Sequence, residues 1–345
     1  MRIQHTHLAA LLNRLYDRGD DRFTVTHPSA EIGDLLTIDL GAPDDCTIRF
    51  AKRRDGYIGA LEEVRRNHPG FVAKDLPGPR DYIQAAMASG VVPVANFDEV
   101  KEFVERHGDP DLMAGQRPVF AGFDTNILPW RIDRLLGLRE PDAGVGYVNG
   151  FVLTTGVRDE MTWDVKCEDT DPYVDAFGPA FVEYWNQPVG SARISRLGQI
   201  AYRDVRDIEQ AVEIQSDTGD EAIIDAYDAW KTESRGDIVL FSNDRNFVED
   251  ARGHRILAQH VAIPDDLPRK TTATWREVET LLYMLTVLFG VLELPAVTVH
   301  GVWRGKEGLD WQRERLKLDP RSPKLEAQLE TDLEIVEAYA GLGME

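Results

Sequence analysis

Between residues 118 and 265 short apolar runs alternate with stretches of helical period, and few architectures accept that alternation. Val119 to Phe123 is continuously apolar, as a strand buried on both faces of a parallel sheet must be. Phe151-Val152-Leu153 is a second run, followed by Thr154-Thr155 and a helix from about Val157. A helical region is expected over about 179–213. Gly219-Asp220 then opens a helix that runs from Glu221 to Lys231. Ile238-Val239-Leu240-Phe241 reads as a third strand, ending in Ser242-Asn243-Asp244, and Ile256-Leu257-Ala258 with Val261 as a fourth. Strands and helices in strict alternation predict an α/β core, a parallel sheet with helices on both faces.

The flanking segments differ. Residues 1–115 read as an N-terminal α/β module. Its strands are Phe23–Thr26, Leu35–Leu40 and Thr47–Phe50, and its helices are Gly59–Asn67, Arg80–Ser89 and Phe97–His107. Turn-rich sequence around Gly108-Asp109-Pro110 and Gly115-Gln116-Arg117-Pro118 sets the boundary near 115. The tail, 266–345, reads as a C-terminal helix–hairpin–helix extension. A helix is expected over Trp275–Leu294, a hairpin over Ala296–Trp303 and Trp311–Leu318, and a charged helix over Lys324–Ala340. The first of these is apolar all round, so it must be buried inside the chain or against a second copy in a homodimer.

The chain has 345 residues, 43% of them hydrophobic, enough for one large domain or two to three smaller ones. No leader is evident, since the run Leu8–Leu12 soon meets Arg14, Asp17 and Arg18. The longest apolar run, Leu281–Leu292, is too short to span a bilayer. A soluble, cytoplasmic protein is expected. Cys46 and Cys167 are too few for a zinc ribbon or a disulfide framework. The net charge of -21 ordinarily argues against a nucleic-acid partner, because phosphate repels a negative surface. Here lysine is scarce beside arginine, and acids are dispersed along the whole chain. That is a halophile-type composition, suited to salt so concentrated that the Debye length falls to about 3 Å. Under that reading the charge describes the solvent and leaves the partner open.

The acids that follow the strands carry the chemistry. Asp124 follows the first strand, Glu160 begins the helix after the second, Asp220 sits at a helix start, and Asp244 ends the third strand. In an open parallel sheet such positions share the carboxyl edge, where ligands bind. Four carboxylates in one crevice repel unless a cation sits among them. Hard divalent ions such as Mg2+ or Mn2+ take oxygen ligands of this kind. A pair of them can activate water and stabilise the leaving oxygen of a phosphodiester.

These pieces resemble the PIN-domain (PIN-like) metal-dependent ribonucleases over roughly residues 118–265. The resemblance rests on FDTN at 123–126, VRDE at 157–160, GDEAII at 219–224 and SNDRNF at 242–247. Asp124 and Glu160 are 36 residues apart, and Asp220 and Asp244 are 24 apart. The 60 residues from Glu160 to Asp220 are long for the family and fit an enlarged helical insert around 165–205. The resemblance implies that Asp124, Glu160, Asp220 and Asp244 bind Mg2+ or Mn2+ and that the protein cuts RNA. It makes Asn126 and Ser242 orienting residues and Asp250 an accessory acid. Glu221 can stand in for Asp220, and Asp159 for Glu160 if the register shifts by one.

Arg193, Arg196, Arg203 and Arg206 fall on one side of an expected helix, with Ile194, Leu197, Ala201, Val205 and Ile208 on the other. Two readings stand side by side. The arginines are an RNA-phosphate strip beside the acids, or a solvated face paired with Asp204 and Asp207. Arg131 and Arg134 pose the same question. Two rival functions also stand: a catalytically inactive RNA-binding or assembly module of the same fold, and a haloacid-dehalogenase-type phosphatase. The second needs an acid two residues after the first Asp, where this chain has Asn126.

Overall fold

In the computed structural model, which describes residues 1–43, 45–138 and 147–341, strand pairing separates two sheets. In chain order the strands are β1 (Arg2–Gln4), β2 (Arg22–Thr26), β3 (Asp34–Asp39), β4 (Cys46–Phe50), β5 (Val119–Phe123), β6 (Gly150–Thr154) and β7 (Val212–Ile214). There follow β8 (Asp237–Ser242), β9 (Leu257–His260), β10 (Lys270–Ala273), β11 (Val291–Leu294), β12 (Val297–His300) and β13 (Arg315–Pro320). The chain divides into two compact units. One comprises residues 1–92, 164–193 and 265–345; the other comprises 93–163 and 194–264.

The first unit holds an eight-stranded antiparallel sheet in the order β1-β13-β12-β11-β2-β3-β4-β10. This corrects the expectation of separate N- and C-terminal modules. Ile3 pairs with Leu316, Glu293 with Thr26, and Thr271 with Ile48, so strands from the two ends of the chain complete one sheet. β12 and β13 pair antiparallel inside this larger sheet, with the helix Gly308–Gln312 between them in place of the short connection expected. The apolar helix is shorter than expected, Trp275–Phe289. Thr274 and Glu277 form a capping box at its start, and it stops at Gly290, where φ is 79°. A Cβ there would lie 1.4 Å from the Tyr184 hydroxyl oxygen, which donates to Phe289 O at 2.8 Å. Only glycine accepts both the left-handed backbone and that contact. Every residue from Leu281 to Phe289 is buried within the chain's own fold, so a second copy is not needed to cover the helix. Cys46 and Cys167 are both buried free thiols in this unit.

The second unit is the expected α/β core. Its five strands run in the order β7-β6-β5-β8-β9, all parallel, and are flanked by helices that return the chain between strands. β6 is buried at every position, as its apolar sequence requires. Gly122 in β5 faces Leu240 and Tyr227 so closely that a Cβ would lie 2.5 Å from one and 2.8 Å from the other. The edge strand β7 replaces part of the helix expected over 179–213; it is three residues long with Glu213 at its centre, too weak a pattern to declare itself. The rest of that stretch is a 3-10 turn, Pro179–Tyr184, and a helix, Ser191–Asp207. The helix Phe97–His107 belongs with this unit, where it packs on β9, so the boundary expected near 115 falls earlier. Among the described residues no helix is long and apolar enough to cross a membrane.

Candidate functional site

Of the acids selected from the sequence, Asp124 and Asp244 lie just past the ends of β5 and β8, Glu160 closes the helix after β6, Asp220 opens the helix after β7, and Asp250 lies within the helix after β8. Asp124 directly follows β5, and its N–H donates to Phe241 O of the neighbouring β8 at 3.1 Å, so β5 and β8 deliver their ends together. The Asp124 side chain is only 4% exposed. Its Oδ2 accepts from the Ser242 hydroxyl at 2.5 Å and from Asn126 Nδ2 at 2.5 Å. Asn126 Oδ1 in turn accepts from Asn243 N at 3.2 Å, and Ser242 Oγ accepts from Asp244 N at 2.8 Å. The Asp-x-Asn and Ser-Asn-Asp segments are thereby locked across two strands. Burial pushes the Asp124 carboxyl up to about 6, the negative charges of Asp220 and Glu160 add to the rise, and the Ser242 hydrogen bond opposes it.

Glu160 is placed by a different device. Thr154, the last residue of β6, caps the helix Thr155–Glu160 by accepting from Val157 N at 3.3 Å. Gly156 lies so close to the 216–217 loop that a Cβ would stand 2.2 Å from Asp217 O, and its N–H donates to Ser216 Oγ at 3.0 Å. Glu160 Oε1 accepts from Gly219 N at 2.7 Å, and Oε2 accepts from the Thr125 hydroxyl. Gly219, with φ of 99°, turns the chain into the helix Asp220–Glu233. Asp220 is the exposed first residue of that helix. Partial burial raises its carboxyl, and so do Glu160, Asp244 and Asp250. Asp244 is exposed and caps the helix Arg245–Gly253, its Oδ1 accepting from Asn246 N at 2.8 Å. Asp250 is exposed on that helix.

Asp159 and Glu160 differ in their surroundings. Asp159 is exposed and turned to Arg158 Nε at 2.8 Å, whereas Glu160 reaches Thr125 and Gly219. Asp220 opens its helix, and Glu160, Asp244 and Asp250 add to the rise of its carboxyl. The donor set, all carboxylate oxygen with hydroxyl and amide support, has the chemistry of a hard divalent cation. Its spacing is open: among the described residues no three His, Cys, Asp or Glu side chains are grouped closely enough to hold a metal ion. The carboxyls of Asp124 and Asp220 are raised first by burial and then by the neighbouring acids, and a cation would offset both.

The arginines require correction. Arg193 is fully buried in the first unit, where it pairs with Asp75 at 2.9 Å and donates to Asp75 O and Leu288 O. It cannot track phosphate. Arg131 is 6% exposed, with φ of 51° at a helix start, and is likewise no surface contact. The helix phase misled here because an amphipathic pattern does not distinguish a solvated guanidinium from one buried against a carboxylate. Arg134 is exposed and bonds Asp204 at 3.0 Å, and Arg206 is held by Asp207 at 2.7 Å. The half-buried Arg196 lies 3.2 Å from the centroid of the Trp163 ring, and Arg203 is half-buried. Asp204 and Asp207 thus hold arginines, as the solvated-face reading expects. Ile208, assigned to the apolar side, is 67% exposed because the helix ends at Asp207.

Thr125, Ser216, Gly219 and Tyr227 were missed by sequence reasoning. The Tyr227 hydroxyl donates to Phe123 O at 3.0 Å beneath Asp124. Thr125 stood inside the FDTN motif and Gly219 inside GDEAII, so their neighbours signalled them; nothing in the sequence marked Tyr227. No protein-family model matches the chain, and no curated protein matches it.

Proposed function

We propose that the second unit is a PIN-like ribonuclease that hydrolyses RNA phosphodiester bonds with Mg2+ or Mn2+. The observation that carries this reading is the delivery of Asp124, Glu160, Asp220 and Asp244 from four separate elements to one edge of a parallel sheet, with Asp124 and Asp220 raised chiefly by burial and further by the neighbouring acids. An N-cap or turn role explains Asp244 alone but not a buried Asp124, for which a lone carboxylate is a costly choice.

The residues that would hold an ion are Asp124, Glu160, Asp220 and Asp244, and they must draw together to do so, because no three acids among the described residues are grouped closely enough. When bound the ion supplies neutralisation of the phosphate charge and lowers the pKa of water. The protein's own groups do the rest. Ser242 and Asn126 fix one oxygen of Asp124, Thr125 and the Gly219 amide fix both oxygens of Glu160, and the Asp244 cap ties its carboxylate to the helix start. Such fixing holds the acids in one arrangement before substrate arrives.

The test is cleavage of a labelled single-stranded oligoribonucleotide by purified protein with Mn2+, with Mg2+ and with EDTA. The Asp124→Asn and Asp244→Asn variants run beside it. Metal-dependent cutting lost in both variants supports the reading; cutting of equal rate in all three proteins refutes it. The open spacing of the acids favours a second reading, a non-catalytic RNA-binding module of the same fold. RNA retention without cutting under every metal condition selects it.

A further inference from the structure

The same unit has a second feature close in sequence to the Ser242–Asp244 segment, a cavity of about 340 Å³. It begins one residue beyond the acids, because Arg245, which follows Asp244, lines it. His260 lines it too, with Nε2 3.2 Å from Asn243 O. Backbone pairing of Val261 N to Ser242 O at 2.8 Å ties the two walls together. The rim is built in advance. Asn96 donates to His260 O at 2.9 Å and accepts from Ala262 N at 2.8 Å, and Arg252 donates to Ala258 O at 2.8 Å.

The remaining lining groups are of mixed sign. Arg245 is an exposed cation that forms no ion pair among the described residues, and Glu99 and Glu249 add two exposed carboxylates. A simple anion meets two carboxylates here, and a simple cation meets the guanidiniums of Arg245 and Arg252. A ligand with an anionic group at one end and N–H donors at the other satisfies both: guanidinium pairs with phosphate, and carboxylate accepts from the amino edge of a base. The volume lies at the lower end of small-ligand sites. We propose that this cavity binds one nucleotide of the single-stranded substrate, its phosphate on Arg245 and its base edge on Glu99 and Glu249, directly beside the acid cluster. The inference rests on the ribonuclease reading for the identity of the strand.

Binding is measured by fluorescence anisotropy of a fluorescein-labelled single-stranded oligoribonucleotide of mixed sequence, in EDTA, using the Asp124→Asn protein. Adding Arg245→Ala is expected to weaken binding at least tenfold and to reduce the slope of log K against log salt by about one. Adding Glu249→Gln, an isosteric loss of an acceptor charge on an exposed helix face, is expected to change the preference among homopolymer competitors. An unchanged Kd within twofold and an unchanged salt slope in Arg245→Ala overturn the proposal, as does an absence of binding by Asp124→Asn. Cleavage by the wild-type chain is scored separately. Cutting that persists while Arg245 proves indifferent fails the pocket alone. Arg245-dependent binding without any cutting fails the ribonuclease reading and leaves the pocket standing.

Discussion

The Ser242 hydroxyl donates to Asp124 Oδ2 at 2.5 Å, joining the ends of two neighbouring parallel strands through one buried carboxylate. The same hydroxyl oxygen accepts from Asp244 N, so a single side chain sets the position of two acids. The bond lowers the cost of burying Asp124 but does not remove it, since that carboxyl still stands near 6.

That residual cost makes Asp124 a stability liability whose sign can be worked out. Its carboxyl moves from 3.8 when unfolded to about 6 when folded, so between those values the folded protein binds more protons. Stability from this group therefore falls as pH rises from about 4 to about 6, and the penalty is complete above that window. At 1.36 kcal/mol per pKa unit the ceiling is about 3 kcal/mol. Asp124→Asn in EDTA is expected to be more stable than the parent at pH 7 by on the order of 1–3 kcal/mol and no more stable at pH 4. Urea denaturation at the two pH values measures this; a variant less stable at pH 7 contradicts it.

Divalent ions should reverse that ranking. A cation bound only by the folded state stabilises by about 2.7 kcal/mol at a hundredfold excess over Kd. Manganese is expected to raise the unfolding temperature of the parent and to leave Asp124→Asn where EDTA leaves it. Scanning calorimetry of both proteins across a manganese titration decides the matter. Equal shifts in parent and variant mean that the ion binds elsewhere.

The core strands of the second unit were legible because fully buried parallel strands are written as unbroken apolar runs, as in Val119–Phe123 and Ile238–Phe241. Asp124 was legible because its run stops on an acid, and Asp244 because it closes the polar Ser242-Asn243-Asp244 end of its run. The antiparallel sheet of the first unit was not legible as one body. Register between β2 and β11 joins residues that lie far apart in the chain, and local pattern carries no record of such pairing. Arg193 shows the same limit. Its partner Asp75 is 118 residues away, so nothing near it in sequence distinguishes a buried guanidinium from a solvated one. The Thr125–Glu160 bond likewise joins the end of β5 to the helix that follows β6, which only the sheet order brings together.

The Arg193–Asp75 pair yields a prediction about the fold. Both side chains are fully buried, and removing one partner leaves an uncompensated charge, at a cost of about 3–5 kcal/mol. Arg193→Met is expected to lower stability by that amount, and Asp75→Asn by a comparable one. The double variant Arg193→Met/Asp75→Leu should recover much of the loss. RNA binding per folded molecule should stay at the parent value in all three, measured by anisotropy below the unfolding transition. Weakened binding in folded Arg193→Met restores the phosphate-strip assignment.

Salt tests the meaning of the net charge. The chain carries 60 acidic and 39 basic side chains, so like-charge repulsion outweighs attraction over distances beyond single contacts. Screening also weakens exposed ion pairs such as Arg106–Glu102, but such pairs are each worth about 1 kcal/mol or less. The Debye length shrinks from about 10 Å at 0.1 M to about 3 Å at 1 M, which removes the long-range repulsion. The unfolding temperature is therefore expected to rise steadily from 0.1 M to 2 M KCl, by about 2–4 °C for each kcal/mol relieved in domains of this size. An equal rise in tetramethylammonium chloride ties the effect to ionic strength and not to potassium. A flat or falling temperature in both salts sinks the high-salt reading and restores the dispersed acids as a barrier that any RNA partner must overcome.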